Sequence, residues 1–239
     1  MKLNILHLYP DLLNLYGDKG NIETLKHRLI WRGIDCGITE HTSSDADMDL
    51  SDVDIIVLGG GTDREEKTVM NKLAKEKDKL IEYVNSDGTL LALCGGMDML
   101  GRYCEYGKET VEGPAILDIY TKSVNKRMTG DVVLDSLVFD GKIVGFENRA
   151  AKTYISGLAP LGKTVYGGGN NGEDKTEGVV YKNVIGTHLH GPILPKNPKL
   201  CDYVISCALK KKYADFQGLS VLDDNLENMA NEFIIKRYQ

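Results

Sequence analysis

The fold is decided by Leu90-Leu-Ala-Leu-Cys94-Gly-Gly-Met-Asp-Met-Leu-Gly101. Residues 90–93 are a short continuous apolar run, which predicts a buried strand of a parallel sheet. Cys94 follows directly, then Gly95 and Gly96, then apolar residues at helical spacing over 97–103. A strand, a sharp turn with a nucleophile at its apex and a helix make a nucleophile elbow. Such a turn is strained and passes close to its neighbours, so small residues are needed around it; Ala92 and Gly96 flank Cys94 by two positions on either side. The following helix would aim backbone N–H groups at the sulfur and favour the thiolate. A plain buried thiol at a strand end fits the same residues, and this stretch alone does not separate the two.

Outward from the elbow, the first half alternates strands and helices. Residues 3–8, 34–40 and 53–58 read as strands. Asn21 can cap a helix over 22–31, where Leu25, Leu29 and Ile30 make an apolar stripe that Gly33 ends. A long helix over 66–84 precedes the elbow strand, and its charged face reads as solvated surface. This β-α-β-α-β order predicts an α/β fold with a parallel, doubly wound sheet. The second half is strand-rich. Short strands are predicted over 116–121, 130–133, 142–146, 153–155, 164–166, 178–181 and 184–186, with Asp140-Gly141 as a hairpin turn. Helices follow over 198–212 and 223–236. No linker separates the halves, so residues 1–239 read as one domain.

Composition narrows the function. A hydrophobic content of 42% supports a real core, and a net charge of −6 without a basic stripe argues against a nucleic-acid surface. The stretch from Met1 to Tyr9 is too short, and too interrupted by Asn4 and His7, for a signal peptide or a membrane span. Five cysteines, with no Cys-x-x-Cys pair, fit reduced cytoplasmic thiols and speak against structural zinc.

The third strand and the elbow strand both end in glycines, Gly59–Gly61 and Gly95–Gly96. In a parallel sheet these ends share one edge, where ligands bind. The N–H groups of Gly60 and Gly95 are the candidate oxyanion hole; a tight turn without a ligand is the alternative. A thiol nucleophile needs a base, and imidazole is the usual one. Of the five histidines, His27 falls on a helix and His41 in a polar loop, both assigned to the surface, and His7 lies within the first strand. His188 and His190 follow the strand 184–186, and Gly191-Pro192 breaks the chain after them. A metal pair is the rival reading, without a carboxylate or third imidazole close in sequence.

Six segments carry a family resemblance: Tyr9-Pro-Asp-Leu-Leu-Asn-Leu-Tyr-Gly-Asp18, Gly59-Gly-Gly-Thr-Asp-Arg-Glu65, Cys94-Gly-Gly-Met-Asp-Met-Leu-Gly101, Gly145-Phe-Glu-Asn148, Tyr166-Gly-Gly-Gly-Asn-Asn-Gly172 and Gly186-Thr-His-Leu-His-Gly191. The chain resembles, over nearly its whole length, class I glutamine amidotransferases of the cobyric-acid-synthase-like (CobB/CobQ-like) branch. Within it, the likeness is to glutaminase subunits of lipid II isoglutaminyl synthases. The resemblance implies a flavodoxin-like α/β fold with a mixed sheet flanked by helices. It implies that Cys94 attacks the side-chain amide of L-glutamine, with the oxyanion on Gly60 and Gly95, His190 moving the proton, and water hydrolysing the glutamyl thioester. Arg127 falls where the family places an arginine for the substrate. Ammonia would pass to a Mur-ligase-like synthetase subunit of the MurT type in a heterodimer. That partner would hold ATP and Mg and amidate the stem-peptide glutamate during peptidoglycan synthesis, at the inner membrane face through its lipid-linked substrate. No cofactor is expected in this chain.

Three positions depart from the pattern. Asp98 stands where the family has Gln, Arg149 where it has His, and His188 where it has an aromatic residue. Asp98 lies one helical turn after Cys94, facing back toward the elbow, where it would repel an oxyanion or meet the substrate ammonium. The position two after His190 is Pro192, so the carboxylate that often orients the imidazole is missing; Asp174 and Glu177 are the nearby carboxylates that could fold back, and a partner-donated one is the other source. Three functions compete: the glutaminase subunit, with a cobyrinate-type amidation as its rival outlet; a non-catalytic binding subunit; and a stand-alone thiol hydrolase, which would have no use for the Asn170-Asn171-Gly172 loop.

Overall fold

The structure, a computed structural model, describes residues 1–238. In chain order its elements are β1 (Lys2–Leu8), α1 (Lys19–Ile30), β2 (Asp35–His41), β3 (Ile55–Leu58), α2 (Asp63–Lys75), α3 (Lys77–Asn85), β4 (Thr89–Leu93) and the short α4 (Gly95–Met99). Then come β5 (Tyr103–Tyr106), β6 (Glu109–Glu112), β7 (Ile119–Ser136), β8 (Lys142–Ile155), β9 (Gly162–Tyr166), β10 (Thr176–Glu177), β11 (Val179–Tyr181), β12 (Val184–Thr187), α5 (Pro198–Lys212) and α6 (Asn225–Arg237).

The first sheet runs β11-β12-β4-β3-β1-β2, parallel throughout except for β11 at one edge. The elbow strand β4 is interior and all five of its residues are buried. Each fully buried leucine there contributes about 1.5–3 kcal/mol, which explains why an apolar run, not an alternating one, marks this strand. The second sheet is built on β7. β8 pairs along one side of it, β5 and β9 take the other, and β6 and β10 lie outermost. One apolar cluster reaches from Leu3, Ile55 and Leu91 of the first sheet, past Ile205 of α5, to Val132 and Ile143 of the second.

The structure corrects several sequence expectations. Four predicted strands fuse into two long ones, β7 and β8, joined across the Asp140-Gly141 turn. The hairpin β5–β6 had no counterpart; the helix after Cys94 stops at Met99, and the chain enters β5 at Tyr103. The long helix over 66–84 breaks at Glu76 into α2 and α3. Asn21 does not cap α1, which starts two residues earlier after Asp18; its side-chain oxygen accepts from Leu194 N–H at 2.9 Å. His41 is buried at the end of β2, edge-on to Tyr9. Among the described residues, no helix is long and apolar enough to cross a membrane.

Candidate active site

Cys94 ends β4 with φ 54° and ψ −130°. A left-handed backbone at a residue with a Cβ costs on the order of 1–3 kcal/mol and persists only where the surroundings impose it. Here they do. The Cys94 N–H donates to Thr187 O of β12 at 2.8 Å, and α4 begins at the next residue. Gly96 is required at this crossing, because a Cβ there would lie 2.4 Å from Leu58 O. A Cβ at Gly95 would displace the Glu66 carboxyl. The Gly95 N–H faces the sulfur and favours the thiolate, but burial, followed by the Glu66 charge, pushes the Cys94 thiol well above its ordinary value.

Gly60 lies against the nucleophile: a Cβ there would come 2.8 Å from Cys94 Cβ and 3.1 Å from Sγ. Its N–H, however, donates to Asp18 Oδ2 at 3.0 Å. The expected oxyanion hole is therefore half assembled, with the Gly60 donor held by a carboxyl. Asp18 is wholly buried, its Oδ1 has no partner, and burial raises its carboxyl to about 6 against the pull of Gly60 N–H. The next amide, Gly61 N–H, donates to Glu66 Oε1 at 3.2 Å.

Cys94 opens into a cavity of about 490 Å³ whose walls include Tyr16, Glu66, Asp98, Arg127 and His188. Arg127 donates to Asn148 Oδ1 at 2.9 Å and to Asn148 O at 3.2 Å. The Asn148 amide in turn donates to Tyr16 Oη at 3.4 Å. Glu66, in α2, is buried, accepts from Tyr106 O–H at 3.2 Å, and has its carboxyl raised to about 8 by burial and by the Asp98 charge. The solvated-surface reading of this helix face fails at Glu66.

The two late histidines part company. His188 shares the cavity with Cys94 and is buried in an ionic network with Asp98 and Glu177. His190 is not among the cavity's walls. Its ring stacks on Tyr16 at 3.9 Å and meets Phe146 edge-on, and its backbone N–H donates to Phe146 O. Its Nε2 is buried without a partner, and burial, with the charges of Lys196 and His188, lowers it to about 4. No hydrogen bond joins it to Cys94, and no carboxylate of the described residues pairs with it. Glu177 folds back as one of the two nearby carboxylates, but onto Thr187 and His188, while Asp174 stays within its own loop.

Residues 4–198 match the CobB/CobQ-like glutamine amidotransferase domain. The chain belongs to that family. It is 40% identical to the GatD subunit of the glutamine-hydrolysing lipid II isoglutaminyl synthase of Staphylococcus aureus, over 99% of this chain and 96% of that one. It is 39% identical to the subunit of the same name in Streptococcus pneumoniae, over 97% and 90%. A chain of the Thermotoga maritima PurLQS structure shares the fold, with a TM-score of 0.56 at 17% identity, covering 88% of this chain and 99% of that one. For this glutamine amidotransferase, sequence reasoning found Cys94, Asp98 and Arg127, which the fold brings to one cavity. It missed Tyr16, Asp18 as a ligand of Gly60, and Glu66. Tyr16 and Asp18 lie in the Tyr9–Asp18 segment, which marked the region without giving either a role, and Glu66 directly follows the Thr62–Glu65 capping box that starts α2 beside the elbow.

Proposed function

We propose that this chain is the glutamine-hydrolysing subunit of a lipid II isoglutaminyl synthase. The strained Cys94 backbone carries the reading, because it holds a thiol at the open end of β4 in a cavity that offers a cation and an anion for an amino acid. Arg127 takes the α-carboxylate of glutamine and Asp98 its α-ammonium. The thiol gives its proton to His190 as sulfur bonds to the amide carbon. The oxyanion forms on Gly95 and, once Asp18 releases it, on Gly60. The carbon–nitrogen bond breaks, His190 returns the proton to the leaving nitrogen, and ammonia departs. Water then cleaves the thioester to glutamate and restores the thiol.

The partner we propose is a Mur-ligase-like synthetase that binds ATP and Mg and activates the stem-peptide carboxylate at the membrane face. Three observations support a site that the partner completes. The thiol is raised, the Gly60 donor is occupied, and His190 lies behind Tyr16 with no carboxylate to orient it. Glutamate release from glutamine by the free chain is expected to be slow and to rise by one to several powers of ten on adding the partner, about the worth of a positioned acid–base. Equal rates would contradict partner completion. No release in the complex would favour a non-catalytic binding subunit.

A further inference from the structure

Asp98, Arg149 and His188 lie 39 to 90 positions apart in the chain and meet in one buried network. Asp98 Oδ1 accepts from Thr121 and Thr153 hydroxyls, each at 2.7 Å, and lies 3.1 Å from His188 Nε2. Arg149 donates to Thr153 Oγ1 at 3.0 Å, so it reaches Asp98 through that hydroxyl. On the far side of the imidazole, His188 Nδ1 is 3.5 Å from Glu177 Oε1, which also accepts the His188 N–H at 2.7 Å. Glu177 is wholly buried and His188 is 2% exposed. Nδ1 makes no hydrogen bond at that distance, so Glu177 acts on the ring through its charge, and two flanking carboxylates favour the doubly protonated imidazolium. The charges then balance, two carboxylates against one imidazolium and one guanidinium. Balance matters because an unpaired buried charge is strongly destabilising.

The second Asp98 oxygen, Oδ2, has no partner among the described residues, and the side chain keeps 11% of its surface on the cavity that holds Cys94. With Oδ1 held by Thr121 of β7, Thr153 of β8 and His188 after β12, Oδ2 is left free to accept from a ligand. We infer that His188 and Arg149 are positioning residues that hold Asp98 as a fixed, ionised receptor for the α-ammonium of the substrate. The three departures from the family pattern are thus one coupled unit. His188 is not a bystander that an aromatic residue can replace alone. This rests on the glutaminase reading above and adds the device by which the chain selects an α-amino acid over a simple amide.

Two measurements test it. The first compares glutamine with its desamino analogue, 4-carbamoylbutanoate, as substrates of the complex with the synthetase partner. The wild type should prefer glutamine by at least about 100-fold, as a site built around a polar group rejects a ligand lacking it. His188→Gln should narrow that ratio about tenfold or more, with the loss falling on KM more than on kcat. A merely structural histidine would lower both substrates alike and leave the ratio unmoved, which would overturn the inference. The second needs no activity: the unfolding midpoints of Asp98→Asn, His188→Gln and the double variant. Each single variant leaves one buried charge in excess, while the double removes one of each sign. The double should therefore be more stable than the sum of the singles predicts. Additive losses would overturn the coupling even in an active enzyme. If the wild-type complex hydrolyses neither substrate, the glutaminase reading fails, while the coupling measurement still decides the network.

Discussion

Replacing Glu66 by Gln is expected to stabilise the protein as pH rises from about 5 to about 8, and to make Cys94 more reactive. The Glu66 carboxyl is buried beside the elbow, and burial followed by the Asp98 charge raises it from 4.5 to about 8. Below the unfolded value, the group is protonated in both states and contributes no penalty. Between the two values the unfolded chain releases the proton while the folded chain keeps it, so wild-type stability falls with rising pH; above about 8 the loss is complete. At about 1.4 kcal/mol per tenfold in proton affinity, the full loss is on the order of 3–5 kcal/mol. Glutamine keeps an acceptor for Gly61 N–H and offers the Tyr106 oxygen a donor, so the neutral side chain fits the same partners. Unfolding free energies from urea titrations between about pH 5 and about pH 9 measure the effect. The variant should lose the downward slope, and its Cys94 should alkylate faster with iodoacetamide above about pH 8, where the wild-type carboxylate opposes the thiolate. Identical pH dependence in the two proteins would refute the assignment of a proton to Glu66.

The other expectations concern the reaction. His190→Ala should lower turnover of the complex by a factor on the order of 10²–10⁴, the usual worth of a positioned acid–base. Because the His190 imidazole is lowered to about 4, it is neutral throughout the physiological range though a weak base, and the acid limb of kcat/KM should lie well below the ordinary imidazole value of 6.5. Arg127→Ala should raise KM for glutamine by about 10- to 100-fold, in keeping with loss of one charge-assisted contact; an unchanged KM would remove Arg127 from the substrate site.

Much of this site was legible in the sequence because it lies where local rules are strong. A continuous apolar run, a cysteine and two glycines specify a strand, a turn and a helix start without help from distant residues, and β4, Cys94 and α4 fall there. Arg127 was singled out through the family resemblance and not through physics, since an arginine in a long hairpin is as often solvated. What was not legible was long-range. Asp18 finds Gly60 across 42 residues, Glu66 finds Tyr106 across 40, and Glu177 of the second sheet finds His188 beside the first. The pairing of β7 with β8 likewise hid its length: polar stretches in both strands look like loops until a partner strand supplies their hydrogen bonds. His188 shows the same limit. By sequence it was a replaced aromatic residue, while in the fold it is the imidazole between two buried carboxylates.

The most direct test of the central claim is covalent. The complex is treated with a glutamine-mimicking diazoketone and the site of attachment read by mass spectrometry, alongside glutamate release by wild type and Cys94→Ala. One adduct on Cys94, loss of glutamate release in step with labelling, and no release by Cys94→Ala are the predicted results. Label spread over Cys36, Cys104, Cys201 and Cys207, or Cys94→Ala releasing glutamate at the wild-type rate, would contradict the account.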